Sequence, residues 1–171
     1  MVKNSLYAVQ QGYAVHVIKY KYPTDPDRMT VTKYPAVASG YYLHCFSITV
    51  YRSNFILLTG GQAMCQSQAK AYTYLYDIDR NVWITRPQFP SLNTGRFHHS
   101  SCSGTEGRAF VFGGVGGNDL YNSIEVYRPK PRLWDIFLPK DASKDYVQRH
   151  SALMIYIDHR TLLILGGLGQ F

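Results

Sequence analysis

The apolar residues of this chain fall in short runs and alternating stretches, and nowhere do they hold helical spacing over about 11 residues. Residues 55–58 and 162–165 are apolar runs of four residues each. That is strand length, far below the roughly 20 residues that cross a bilayer as a helix. Tight polar segments separate the runs. Asp77-Ile78-Asp79-Arg80-Asn81 and Arg128-Pro129-Lys130-Pro131-Arg132 combine residue types that reverse a chain between strands. The pattern predicts an all-β protein.

The strands repeat. Gly-Gly pairs close three apolar runs, at Gly60-Gly61, Gly113-Gly114 and Gly166-Gly167, so the first glycines are spaced by 53 twice. Tyr76 precedes Trp83 by seven residues, and Tyr127 precedes Trp134 by seven. Arg96-Phe97-His98-His99 returns as Arg149-His150-Ser151-Ala152, and Tyr41-Tyr42-Leu43-His44-Cys45 stands in the corresponding place before the first glycine pair. Each unit reads as a His-containing stretch, a strand ending in Gly-Gly, a Tyr strand, a turn and a Trp strand. Paired glycines at a strand end tolerate positive φ and close backbone approach. Tyr and Trp on adjacent strands bury large area between neighbouring sheets.

Four short strands per unit, at a period near 50, resemble the kelch repeat. The resemblance rests on Gly60, Gly61, Gly113, Gly114, Gly166, Gly167, Tyr76, Trp83, Tyr127 and Trp134 standing in register. It covers residues 41–171 well and 5–35 weakly. It implies kelch-type β-propeller blades of four antiparallel strands, with the innermost strands near residues 43–49, 98–103 and 150–155. The chain divides into a partial blade of outer strands (1–40), two kelch repeats (41–90 and 91–140) and a partial repeat of inner strands (141–171). The result is an incomplete propeller, two full blades plus two partial ones, short of the usual count of about four to eight. Three readings stay open: a fragment of a longer product, self-association, or completion by another propeller segment. An open array exposes strand edges, so the isolated chain is expected to associate.

Composition adjusts this picture. Eighteen Lys and Arg against 11 Asp and Glu give a net charge of +7, which favours an acidic partner. The charge is interleaved with apolar residues, unlike a basic arm, so no nucleic acid is expected. Three cysteines without a CxxC pair suit reduced thiols and a cytoplasmic setting. Residues 1–18 lack the apolar core of a signal peptide, and no membrane partner is expected.

Catalytic patterns are sparse. The pair His98-His99 and His150 occupy the same place in different repeats and are expected to lie apart around the channel, so no metal site is expected. No Gly-x-Ser-x-Gly elbow occurs, and Glu106 and Glu125 are the only glutamates. Gly113–Gly117 lacks the Lys-Ser/Thr of a phosphate loop. The related copper-oxidase propellers use a Tyr and His ligand set with a cross-linked Cys, a set not assignable in this sequence, so no cofactor is expected. The expectation is a non-catalytic protein–protein interaction module or scaffold, not an enzyme. The resemblance implies that arginines just before an inner strand project from one face and pair with acidic peptide groups. Arg96 and Arg149 match that position, Arg86 could join them, and Tyr42 and Phe97 could add aromatic anchors. For the arginines the alternative is structural capping of strand ends. For the whole chain the alternatives are a kelch-fold enzyme acting on a sugar or small molecule, or a partial gene product without independent function.

Overall fold

The computed structural model describes residues 5–10, 12–21, 30–33, 37–63, 68–85, 88–138 and 148–169. Four strands come first: β1 (Ser5–Gln10), β2 (Gly12–Lys21), β3 (Thr30–Lys33) and β4 (Val37–His44). Next are β5 (Ser47–Tyr51), β6 (Phe55–Thr59), β7 (Gln62–Ala63), β8 (Thr73–Asp77) and β9 (Val82–Ile84). They are followed by β10 (Ser100–Ser103), β11 (Ala109–Phe112), β12 (Val115–Gly116), β13 (Asp119–Leu120), β14 (Ile124–Arg128) and β15 (Leu133–Phe137). The last two are β16 (His150–Asp158) and β17 (Thr161–Leu168).

All the sheets are small and antiparallel. A first meander has the order β5-β6-β8-β9, and a second has the order β10-β11-β14-β15. A C-terminal hairpin, β16-β17, repeats the inner half of a meander. An N-terminal sheet, β1-β2-β4-β7 with β3 on β2, precedes them. Among the described residues these sheets do not close into a ring, and the architecture is that of an open, propeller-like array. No described helix is long and apolar enough to cross a membrane.

The apolar runs are continuous because each meander is covered on both faces. Ile56, Tyr76 and Ile78 pack against Val17, and Leu58 packs with Leu43, all towards the N-terminal sheet. On the opposite face Tyr51, Leu57 and Leu75 meet Ala109, Val111, Tyr127 and Trp134 of the second meander. Phe110, Phe112 and Cys102 then meet Met154, Tyr156, Leu162 and Ile164 of the hairpin. The Tyr and Trp of each meander are direct cross-strand partners, with ring centroids 5.2 Å apart for Tyr76 and Trp83 and 5.4 Å for Tyr127 and Trp134. Trp134 also donates its Nε1 hydrogen to the Pro90 carbonyl at 3.2 Å, tying the second meander to the incoming linker.

The units dock through the glycine pairs. Gly61 N–H donates to the Arg96 carbonyl and Gly114 N–H to the Arg149 carbonyl, both at 2.8 Å. A Cβ on Gly60 or Gly113 would collide with the same two carbonyls. A second contact recurs at the same step. Cys45, His98 and Ser151 all have left-handed φ (54°, 54° and 56°). His98 N–H donates to the Cys45 carbonyl at 3.0 Å, and Ser151 N–H to the His98 carbonyl at 2.7 Å.

The N-terminal region differs from the expected pair of outer strands. Ser5–Gln10 and Val37–His44 add two more, and residues 41–44 belong to this sheet and not to the inner strand of the first meander. The cause is local. Left-handed Cys45 breaks the chain after β4, and Leu43, buried against Leu58, stands where the later units have arginine.

Candidate functional site

The turns between β5 and β6, between β10 and β11, between β14 and β15, and between β16 and β17 contribute to one cleft of about 1450 Å³. Its floor is aromatic. Tyr51, Phe89 and Tyr127 touch one another, with Phe89 and Tyr127 at 4.7 Å between centroids. The Tyr51 hydroxyl donates to the Gly107 carbonyl at 2.8 Å, which fixes the β10–β11 turn beside the floor. Burial raises the pKa of Tyr51 and of Tyr127, while Arg52 and Arg132 partly oppose it.

The rim is cationic. Arg52, Arg108, Arg128, Lys130, Arg132 and Arg160 line it, against one carboxylate, Glu106. Glu106 is taken by Arg108 at 2.9 Å, and Arg128 pairs with Asp135 at 2.6 Å. Among the described residues no carboxylate pairs with Arg52, Lys130, Arg132 or Arg160. Four cations without a described carboxylate partner, of which Arg52 lies over the Tyr51 ring at 5.3 Å, surround a partly apolar floor and form an anion-accepting surface. The charge that looked dispersed along the sequence is gathered here by turns from successive units of the repeat.

The residues expected to bind a partner lie elsewhere. Arg96 is fully buried. Its Nη2 donates to Glu125 Oε1 at 2.7 Å and to Ser123 Oγ at 3.2 Å, and its Nη1 to the Gly113 carbonyl at 2.9 Å. Glu125, also fully buried, accepts from the backbone N–H groups of Asn93 and Thr94 at 2.7 and 3.0 Å. Burial lowers the Arg96 pKa and the Glu125 charge opposes it. A guanidinium with its carboxylate inside the fold offers nothing to an external peptide. The placement corrects the expectation for Arg96 and favours the structural-capping alternative. Arg149 is half-buried and donates Nη1 to the Gly166 carbonyl at 3.0 Å. Phe97 is half-buried and lies against His98 at 5.4 Å between ring centroids. Arg86 and the Tyr42 side chain lie outside the described residues.

The histidines also depart from expectation. His98 and His150 come within 5.9 Å between ring centroids instead of lying apart, because the turns holding them are hydrogen-bonded to each other. Burial lowers the His98 pKa, and the charges of His150 and His44 lower it further. His99 is buried and its Nε2 shares a hydrogen with Thr59 Oγ1 at 2.8 Å. No group of three His, Cys, Asp or Glu side chains among the described residues is arranged to hold a metal ion. Cys45 lies 3.0 Å from His44 Nδ1, while Cys102 is buried against Phe112 and Met154 with its thiol pKa pushed up to about 11 by burial.

No family model matches the chain. Two galactose oxidase sequences of Gibberella zeae, one of them from strain PH-1, are each 28% identical to it over 111 residues, 64% of this chain. The chain spans about 15% of the length of these curated relatives. The likeness fits the propeller-like fold. It also overturns the expectation that this is not an enzyme, since the relatives are enzymes by name. The described residues bring together no three His, Cys, Asp or Glu side chains that could hold a metal ion, so a copper centre finds no such donor set among them.

Proposed function

We propose that this chain is a kelch-type propeller segment that binds an acidic peptide in the cleft formed by its strand-connecting turns. The supporting observation is the set of four cations, Arg52, Lys130, Arg132 and Arg160, that rim one cleft without a described carboxylate partner. Guanidinium forks suit carboxylates, and the +7 net charge draws an acidic partner in. Titration with a Glu-rich peptide checks this. Binding is expected to weaken with added salt, as exposed charge pairs do. It is also expected to fall on the order of tenfold in an Arg132→Ala, Arg160→Ala double variant. Equal binding of a neutral peptide, or unchanged binding by the variant, refutes the assignment.

The likeness to galactose oxidase favours a second reading, a segment of a kelch-fold enzyme acting on a sugar or related small molecule. In that reading the cleft receives the substrate, with aromatic rings under the C–H face of a sugar and the cations at its anionic substituents. A uronic-acid oligosaccharide that displaces the Glu-rich peptide from the cleft supports this reading. Failure of the sugar to bind at all leaves the peptide.

A further inference from the structure

We propose that the cleft takes a phosphate monoester on a peptide side chain, held by the Tyr127 hydroxyl between Arg52 and Arg132. This rests on the acidic-peptide reading and names the group that anchors the peptide.

It starts from a comparison of the two meanders. Their Tyr–Trp hairpins share one register, Tyr76 opposite Trp83 and Tyr127 opposite Trp134. Two places before each Trp stands a left-handed turn residue, Asn81 at φ 56° and Arg132 at φ 68°. In the first meander that residue completes the tyrosine, because the Tyr76 hydroxyl donates to Asn81 Oδ1 at 3.3 Å. In the second meander the acceptor is gone. Arginine has donors only, and no described group hydrogen-bonds to the Tyr127 hydroxyl. The buried polar side-chain atoms that lack a partner belong to Thr73, Arg96, His99 and Ser100. The Tyr127 oxygen is not one of them, so this hydroxyl reaches the cleft although its ring is buried.

A second guanidinium comes from the neighbouring unit. Arg52, in the β5–β6 turn, lies over the Tyr51 ring at 5.3 Å, and the Tyr51 and Tyr127 rings are 6.2 Å apart. A Cβ on Gly107 would collide with the Arg52 guanidinium, so the glycine leaves the room in which that group sits. Burial raises the Tyr127 pKa, and the charges of Arg132 and then Arg52 oppose it, so both cations act on one oxygen. Arg52 is also left-handed, at φ 49°. Such backbone suits glycine or asparagine better than arginine. Neither arginine has a described carboxylate partner, and Glu106, the carboxylate of the cleft, is taken by Arg108 at 2.9 Å.

The donor set selects the ligand. One hydroxyl and two guanidiniums, all able to donate, converge with no acceptor between them. A carboxylate brings two oxygens and a single charge. A phosphate monoester brings three acceptor oxygens and close to two charges at neutral pH, and guanidinium forks grip it in pairs of hydrogen bonds. Every residue of the site lies within the two four-stranded meanders and their turns.

The probes are three peptides of one Glu-rich sequence, titrated into the intact chain. At a central position they carry phosphoserine, serine or, to match the charge, two glutamates. The phosphopeptide is expected to bind on the order of tenfold more tightly than either of the others. Arg132→Asn copies the Asn81 arrangement and gives Tyr127 an acceptor, so it is expected to fold and to erase the preference. Tyr127→Phe removes a hydroxyl with no partner in the fold and is expected to reduce the preference about threefold. Three peptides that bind alike overturn the phosphate site and leave the acidic-peptide reading standing, whereas no binding by any of them overturns both. A preference that survives Arg132→Asn overturns the site as well.

Discussion

The second meander and the C-terminal hairpin carry the same motif 53 residues apart and behave as different materials. The same holds two steps back: Leu57 of the first meander and Leu163 of the hairpin hold corresponding positions in the strand before a glycine pair, yet Leu57 is 0% exposed and Leu163 is 40% exposed. Arg96 is sealed around Glu125, while Arg149 makes the same carbonyl contact with no described acid. Neither difference comes from the residue itself. A neighbouring unit turns an apolar surface into core, and a third strand turns an arginine into a lock. In a stacked array, stability belongs to interfaces between units at least as much as to the units.

The contrast is sharpest at the large buried side chains. Trp134→Ala is expected to cost about 3–5 kcal/mol in urea unfolding through the cavity it leaves, whereas Leu163→Ala should stay within about 0.5 kcal/mol. Equal losses would break the comparison. The ion pair gives the next test. Glu125→Gln leaves the Arg96 charge unpaired inside the fold, and a loss near 3 kcal/mol is expected. Arg149→Gln removes a single partly exposed hydrogen bond, and its effect on unfolding should be near zero. The glycines separate the regions again. Gly113→Ala combines a left-handed φ of 65° with a collision against the Arg149 carbonyl, and about 2–4 kcal/mol is expected. Gly166→Ala bears only the backbone cost at φ 66°, about 1 kcal/mol.

Acid sensitivity gives a test that builds up gradually with falling pH. Burial, with help from Arg96, holds His99 down to about 3 from its ordinary 6.5. The folded protein keeps this imidazole neutral, while the unfolded chain takes up a proton below 6.5. Stability is therefore full above that pH and falls towards pH 3, by at most about 1.4 kcal/mol per pH unit from this group. His99→Gln should flatten that part of the profile. The hairpin has Ala152 at the corresponding position, so the sensitivity should map to the interface between the meanders.

Much of the architecture was legible because it is written locally. Gly60, Gly113 and Gly166 mark strand ends that need positive φ, and the seven-residue step from Tyr76 to Trp83 is what places two rings opposite each other across a short hairpin. The site was less legible. Arg96 and Glu125 are 29 residues apart and meet only through the pairing of β11 with β14. A glutamate between Ile124 and Val126 in a strand was the available signal, since an acid there needs a partner. The cationic cleft was hidden for the opposite reason. Each turn contributes one to three charges that look like ordinary solvated loop residues, and only stacking brings them to one rim. The N-terminal sheet was misread because Leu43 replaces the arginine of the later units, which changes which sheet the segment joins.

The left-handed residues Cys45, His98 and Ser151 link each unit to the next through a single carbonyl-to-amide contact at one end of the inner strands. Such a contact works as a protractor. A backbone held at one φ and tied to the same group each time turns every sheet by nearly the same angle from the one before. Substituting Gly at His98 would keep the left-handed backbone accessible while removing the imidazole that lies against Phe97 and His150.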